Sequence, residues 1–152
     1  WNVTAGGGTV DSLVSATDAN GIARVSWTLG TVAGPQTLVA AIANGSTVVI
    51  TAIAQAAGIA SVAVVSDPFV SVVAGATTPP LRVRAFDRYG NSVAGVALIW
   101  ATNAGVLATA ATVTGADGIG EATLRTDPSP RDHLVTARFA GGFESSFVVR
   151  GN

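Results

Sequence analysis

Cysteine, methionine and lysine are all missing from this 152-residue chain. Without cysteine there is no disulfide and no thiolate metal site. Without lysine there is no Lys–Asn isopeptide staple, and the Gly6-Gly7-Gly8 run lacks the cation of a phosphate-binding loop as well as a following helix. Charge is scarce too: 11% of residues against roughly 25% in ordinary globular chains. The net charge is −1, and the eight basic residues are all Arg, seven of them at or beyond Arg82. That is no footprint for nucleic acid or an anionic membrane. No apolar run approaches the roughly 20 residues of a membrane-spanning helix. Stability must come from packing and hydrogen bonding.

What is present is β text. Short runs of Thr, Val, Ala and Ile alternate, punctuated every eight to twelve residues or so by Gly, Asn, Asp and Pro. In ARVSWTL, residues 23–29, Ala23, Val25, Trp27 and Leu29 share one face, while Arg24, Ser26 and Thr28 share the other. The turn Asn20-Gly21 precedes it. The same phrase returns as TVTGADGIGEATLRT, with Thr17, Ala19, Gly21 and Ile22 repeated by Thr114, Ala116, Gly118 and Ile119, 97 residues on. TLVAAIANG (37–45) aligns with HLVTARFAG (133–141) by matching Leu38 to Leu134 and Gly45 to Gly141. Trp1 aligns with Trp100, which closes the strand VALIW, where Val96, Leu98 and Trp100 face inward.

The second copy extends further towards its N-terminal side. GIASVAVVSD and VSVVAG read as one strand bent at Asp67-Pro68, and PLRVRAF alternates Leu81, Val83 and Ala85 against Arg82 and Arg84. DRYGNSVAG (87–95) is a loop turning at Gly90-Asn91. These elements predict an all-β chain: a complete seven-strand immunoglobulin-like β-sandwich at 57–152 and an incomplete copy, lacking its first strands, at 1–56.

The order Asp87, Gly90, Asn91, Val93 to Val96, followed by Thr114 to Gly120 and its counterpart Thr17 to Ala23, resembles the group 1 bacterial immunoglobulin-like domains of the invasin/intimin type. The resemblance implies tandem sandwiches in extracellular or cell-surface proteins, acting as stalks, spacers or adhesive rods, with no catalytic residues and no cofactor.

Copy two spends residues 57–99 on strands ahead of Trp100; copy one has nothing equivalent. An open sheet edge is a template for another strand, and residues 1–56 carry only Asp11, Asp18 and Arg24 to protect it. Three explanations stand: a longer protein processed or cut at Trp1, a donor strand from a neighbouring subunit giving a homopolymer, or a different packing of the N-terminal half. The partners implied are neighbouring copies or adjacent repeats. So poorly charged a surface favours assembly.

Chemistry is thin. His133, beside Asp132 in a Pro-flanked stretch, reads as a solvated loop residue, because no G-x-S-x-G elbow accompanies it. Asp18, Asn20 and Asp117 suit turns better than a calcium loop, and Asp87 with Asn91 suits an Asx turn. Asn2-Val3-Thr4 and Asn44-Gly45-Ser46 match the glycosylation sequon by accident. Trp27 and Trp100 belong to the core. Tyr89, Phe143 and Trp1 remain as candidate contact residues for a ligand or a neighbouring subunit; no metal, cofactor-binding or catalytic residue is expected.

Overall fold

Every regular element of the chain is a β-strand, as the alternation of β-branched and small residues requires. The computed structural model describes residues 1–152, which fall into unit 1, Trp1–Ala56, and unit 2, Ala57–Asn152. Unit 1 holds β1 (Asn2–Ala5), β2 (Gly8–Val10), β3 (Trp27–Leu29), β4 (Gly34–Ala41) and β5 (Thr47–Ala54). Unit 2 holds β6 (Ser61–Val64), β7 (Phe69–Val72), β8 (Leu81–Phe86), β9 (Ala97–Thr102), β10 (Val106–Leu107), β11 (Ala111–Val113), β12 (Ile119–Ala122), β13 (Leu124–Arg125), β14 (Arg131–Phe139) and β15 (Glu144–Gly151).

In unit 2 a five-stranded sheet, β11-β9-β14-β15-β7, is faced by a three-stranded sheet, β12-β8-β6, with β10-β13 as a short ribbon. The inward faces are those the alternation marks: Leu81, Val83 and Ala85 on β8, Leu98 and Trp100 on β9, Val135, Ala137 and Phe139 on β14, Phe147 and Val149 on β15, all buried. The stretch read as one bent strand is divided between the sheets. β6 pairs antiparallel with β8, and β7 pairs parallel with β15. The switch falls at Asp67-Pro68, where proline has no N–H for a ladder and Asp67 accepts from Phe69 N at 2.9 Å.

Unit 1 repeats part of this plan. The turn bonds Asp18 N to Ile22 O and Gly21 N to Asp18 O recur as Gly115 N to Ile119 O and Gly118 N to Gly115 O. Trp1 Nε1 donates to Ser15 Oγ at 2.8 Å, as Trp100 Nε1 donates to Thr112 Oγ1 at 2.9 Å. Val3 pairs with Leu38 as Thr102 pairs with Val135, and Leu38 with Ile50 as Val135 with Phe147. The β4–β5 register therefore sets Leu38 against Val135, 97 residues on, which corrects the alignment made on leucines. Leu134 is exposed. The same shift moves Gly45 from Gly141 to Gly142, since Gly45 N bonds Ile42 O as Gly142 N bonds Phe139 O.

Unit 1 has no counterpart of β6, β7 or β8. Its strands form only β1-β4-β5 and the ribbon β2-β3. ARVSWTL keeps its inside-outside alternation, but only Trp27–Leu29 forms a strand. Residues 22–25 correspond to β12, whose hydrogen-bonding partner is β8, and they have no such partner to define a ladder.

Gly21 and Gly118 both turn at φ +76°. A side chain there costs roughly 1–2 kcal/mol from backbone strain alone. At Gly118 an added Cβ would also lie 2.9 Å from Ala85 O, whereas at Gly21 nothing lies within 4 Å. Gly118→Ala is thus expected to destabilise by about 2–4 kcal/mol, the excess being overpacking, and Gly21→Ala by about 1–2 kcal/mol. Urea denaturation of the two variants measures the difference.

Candidate functional site

Unit 1 has a groove where unit 2 packs β8 against its core. Trp1, Ala23, Val25, Trp27, Leu38 and Ile50 line it, with Asp11, Arg24 and Ser26 at its rim, enclosing about 580 Å³. In unit 2 the matching positions, Trp100, Gly120, Ala122, Leu124, Val135 and Phe147, are all buried, and β8 contributes Leu81, Val83 and Ala85 at 0% exposure to the same core. The contrast is sharpest at Ile50, 37% exposed, against Phe147 at 1%. Leu38 is the one buried apolar side chain of unit 1. Trp27, expected in the core, is half-buried, and its Nε1 is out of contact with water without a hydrogen-bond partner, an unfavourable state for a donor.

The outer edge of β5 is bare as well. β15 is flanked by β7, Val148 to Gly151 pairing with Phe69 to Val72. β5 ends its sheet, and Val48, Val49, Ile50 and Ile53 on it are exposed. No charged residue interrupts this edge, so the usual protection against strand addition is absent.

The rim is electrostatically ordered. Asp18 Oδ1 accepts from Asn20 N and Ile22 N at 2.9 and 3.0 Å, and Oδ2 from Arg24 at 2.9 Å. The bonds from Ile22, Arg24 and Asn20 hold its carboxyl below the usual range. This is turn and strand chemistry: each carboxylate oxygen is already occupied by a donor.

Of the sequence-derived contact candidates, Trp1 forms a wall of the groove, half-buried, with its α-amino group on Leu13 O at 2.7 Å. Tyr89 is exposed on the 87–91 loop, the Arg88 guanidinium 4.7 Å above its ring. Phe143 is half-buried beside the β14–β15 turn, its C=O accepting from Phe139 N. Tyr89 and Phe143 share no ring contact.

Asp87 anchors the Tyr89 loop. It is 3% exposed; Oδ1 accepts from Tyr89 N and Asn91 N, and Oδ2 from Asn91 Nδ2 and Ala57 N, all at 2.8–2.9 Å. Removal from water pushes its pKa up, but those four bonds outweigh it and bring the carboxyl from 3.8 to about 2. A depressed folded-state value means stability that is present above pH 4 or so and lost as pH falls from about 4 towards 2. Asp87→Asn is expected to be less stable at neutral pH and to lose that acid-sensitive component, which paired urea titrations at pH 6 and pH 2.5 or thereabouts measure.

His133 departs from expectation. It lies within β14, 0% exposed, and not in a solvated loop. Its Nε2 accepts from Asp127 N at 3.2 Å, which leaves Nδ1 to carry the proton towards Val149 O at 3.3 Å. Unit 1 solves the same problem with Gln36, 97 residues earlier and also fully buried. Its Oε1 accepts from Gly30 N, and Nε2 donates to Gly30 O and Val32 O. Both side chains pin the loop that enters the strand. The alternation His133, Val135, Ala137, Phe139 was the available signal; the flanking prolines obscured it.

A sequence model of the bacterial Ig-like domain (group 1) family matches residues 61–150. The chain belongs to that family. No curated protein sequence matches it. Among solved structures, the Escherichia coli adhesin FdeC matches with a TM-score of 0.67 at 22% identity, over 99% of this chain and 52% of that one. Invasin, a bacterial integrin-binding protein, matches with a TM-score of 0.52 at 24% identity, over 89% of this chain and 28% of that one. The C-terminal 282-residue fragment of intimin, in complex with the intimin-binding domain of its translocated receptor, matches with a TM-score of 0.50 at 20% identity, over 62% of this chain and 33% of that one. The chain spans about half of FdeC or less of the others. This group 1 Ig-like chain is an extracellular or cell-surface domain, and no helix in it is long and apolar enough to cross a membrane.

Proposed function

We propose that this chain is a non-enzymatic structural segment of a bacterial surface stalk or filament, in which unit 2 is a self-sufficient Ig-like sandwich and unit 1 an incomplete one completed by strands from outside residues 1–56. The observation carrying this is the paired geometry 97 residues apart, one copy with a covered core and one with an open groove. Main-chain hydrogen bonds would supply affinity and alternate side chains the register. The donor is a neighbouring copy of the chain or an adjacent repeat of a longer polypeptide.

A structural role is supported by how the polar groups are spent. The single histidine spends both ring nitrogens on backbone, and Asp87 and Asp18 are spent on turns. Negative-stain microscopy tests the reading: end-to-end particles of uniform width that lengthen with concentration support assembly through unit 1. Isolated short rods at every concentration leave a stalk segment that positions a distal domain, the role that likeness to an adhesin suggests. A receptor- or glycan-binding module is a second reading, favoured by the exposed Tyr89 with Arg88 stacked on it; glycan-array binding lost in Tyr89→Ala or Phe143→Ala would establish it.

A further inference from the structure

We infer that β7 of unit 2 is a contact edge between two copies of this chain, which join side by side with β7 antiparallel to β7 about a two-fold axis at Ser71. The pairing unites two five-stranded sheets into one. It stands apart from the reading of unit 1. β7 ends its sheet and lies inside the span matched by the family model, so this edge belongs to the complete sandwich. Residues 69–73, Phe-Val-Ser-Val-Val, carry no charge and no proline to discourage a further strand. Phe69 and Val73 are each 72% exposed; Val70 and Val72, on the other face, are half-buried.

The backbone groups of this edge match themselves. Even-numbered positions serve β15: Pro68 O and Val72 O accept from Val148 N and Asn152 N, and Ala74 N donates to Asn152 O, all at 2.9 Å. Odd-numbered positions aim theirs the other way. Of these, Phe69 N is spent on Asp67 Oδ1 at 2.9 Å and Val73 O on Ala76 N at 3.0 Å. Two donors remain, Ser71 N and Val73 N, and two acceptors, Phe69 O and Ser71 O. The two-fold axis uses all four: Ser71 N meets the partner's Ser71 O, and Val73 N meets the partner's Phe69 O. The spent Phe69 N falls opposite the partner's spent Val73 O, whereas a foreign strand would set an unspent carbonyl there. Side chains agree, since Phe69 lies beside the partner's Val73 and Val70 beside the partner's Val72, pairings that favour antiparallel neighbours.

Charge also favours a second copy. The same register carries Asp67 towards the partner's Gly75, whose carbonyl accepts from Arg125 Nε at 3.3 Å. Asp67 and Arg125 belong to no ion pair within one copy. The axis gives each end of the ribbon one carboxylate and one guanidinium, and keeps the two Asp67 side chains apart. So short a contact makes a weak dimer, suited to chains crowded side by side on a cell surface.

The test uses the full chain. Sedimentation equilibrium from micromolar to millimolar concentration is expected to show dimers forming, and amide exchange at Ser71 and Val73, followed by NMR, to slow in step with them. Ser71→Pro removes an outward donor and leaves the β15 ladder intact, and Phe69→Lys places on the edge a charge of the kind that guards it. Each is expected to weaken dimerisation about tenfold or more; the lysine variant keeps the test decisive if the proline variant misfolds. Asp67→Asn keeps an acceptor for Phe69 N, and is expected to dimerise severalfold more weakly at low salt and to lose the salt dependence of the parent. A chain that stays monomeric at millimolar concentration, with Ser71 and Val73 exchanging fast, overturns the inference. So does protection of these two amides that is the same at every concentration. Association unchanged by Phe69→Lys, whether dimeric or larger, places the contact elsewhere and overturns it as well.

Discussion

Phe147→Ala is expected to destabilise unit 2 by about 3–5 kcal/mol, and Ile50→Ala, at the corresponding place in unit 1, to cost about 1–2 kcal/mol. Phe147 is 1% exposed, with its ring centroid 6.1 Å from that of Trp100. Removing the ring loses its transfer free energy, leaves a cavity the two sheets cannot collapse, and removes an aromatic contact of about 0.5–1.5 kcal/mol. Ile50 occupies the same register position opposite its neighbour strand but faces the groove and keeps 37% of its surface in water. Truncating a wall that already borders solvent creates no new void. Urea denaturation followed by tryptophan fluorescence reads both changes. Equal losses would mean that unit 1 is covered as well as unit 2.

The second large effect concerns the buried polar clamps. His133→Leu is expected to cost about 2–3 kcal/mol, because Asp127 N–H and Val149 C=O lose their partner while desolvated. Gln36→Leu removes three bonds to Gly30 and Val32, at about 1 kcal/mol each. His133→Gln should recover part of the loss, since the glutamine of unit 1 performs that service at the equivalent position. If His133→Gln is no better than His133→Leu, the two loops are not held in the same way. Thermal or urea unfolding of the three variants decides it.

The fold was readable because alternation is a direct consequence of strand geometry: Leu81, Val83 and Ala85 announced an inner face and the structure buries all three. Turns were readable at Gly21 and Gly118, where only a positive φ closes the loop. Register was less so. Two adjacent glycines, Gly141 and Gly142, offered two alignments for Gly45, and only the hydrogen bonds select the second. At His133 proline punctuation upstream competes with a period-two pattern downstream, and the structure follows the pattern. The groove is not legible in residue order alone. Its walls needed the pairing of β1, β4 and β5. Tyr89 and Phe143 lie in loops, where no alternation marks a face.

Amide hydrogen exchange on the unmodified chain compares the two units within one molecule. Residues 119–122 and 148–151 lie in ladders with β8 and β7 and are expected to exchange slowly. Residues 23–25, and Thr51 and Ile53 whose amides face away from β4, lie 97 positions earlier with no strand beside them and are expected to exchange orders of magnitude faster. Matching slow exchange in both sets, at a concentration where the chain is monomeric, would contradict the account.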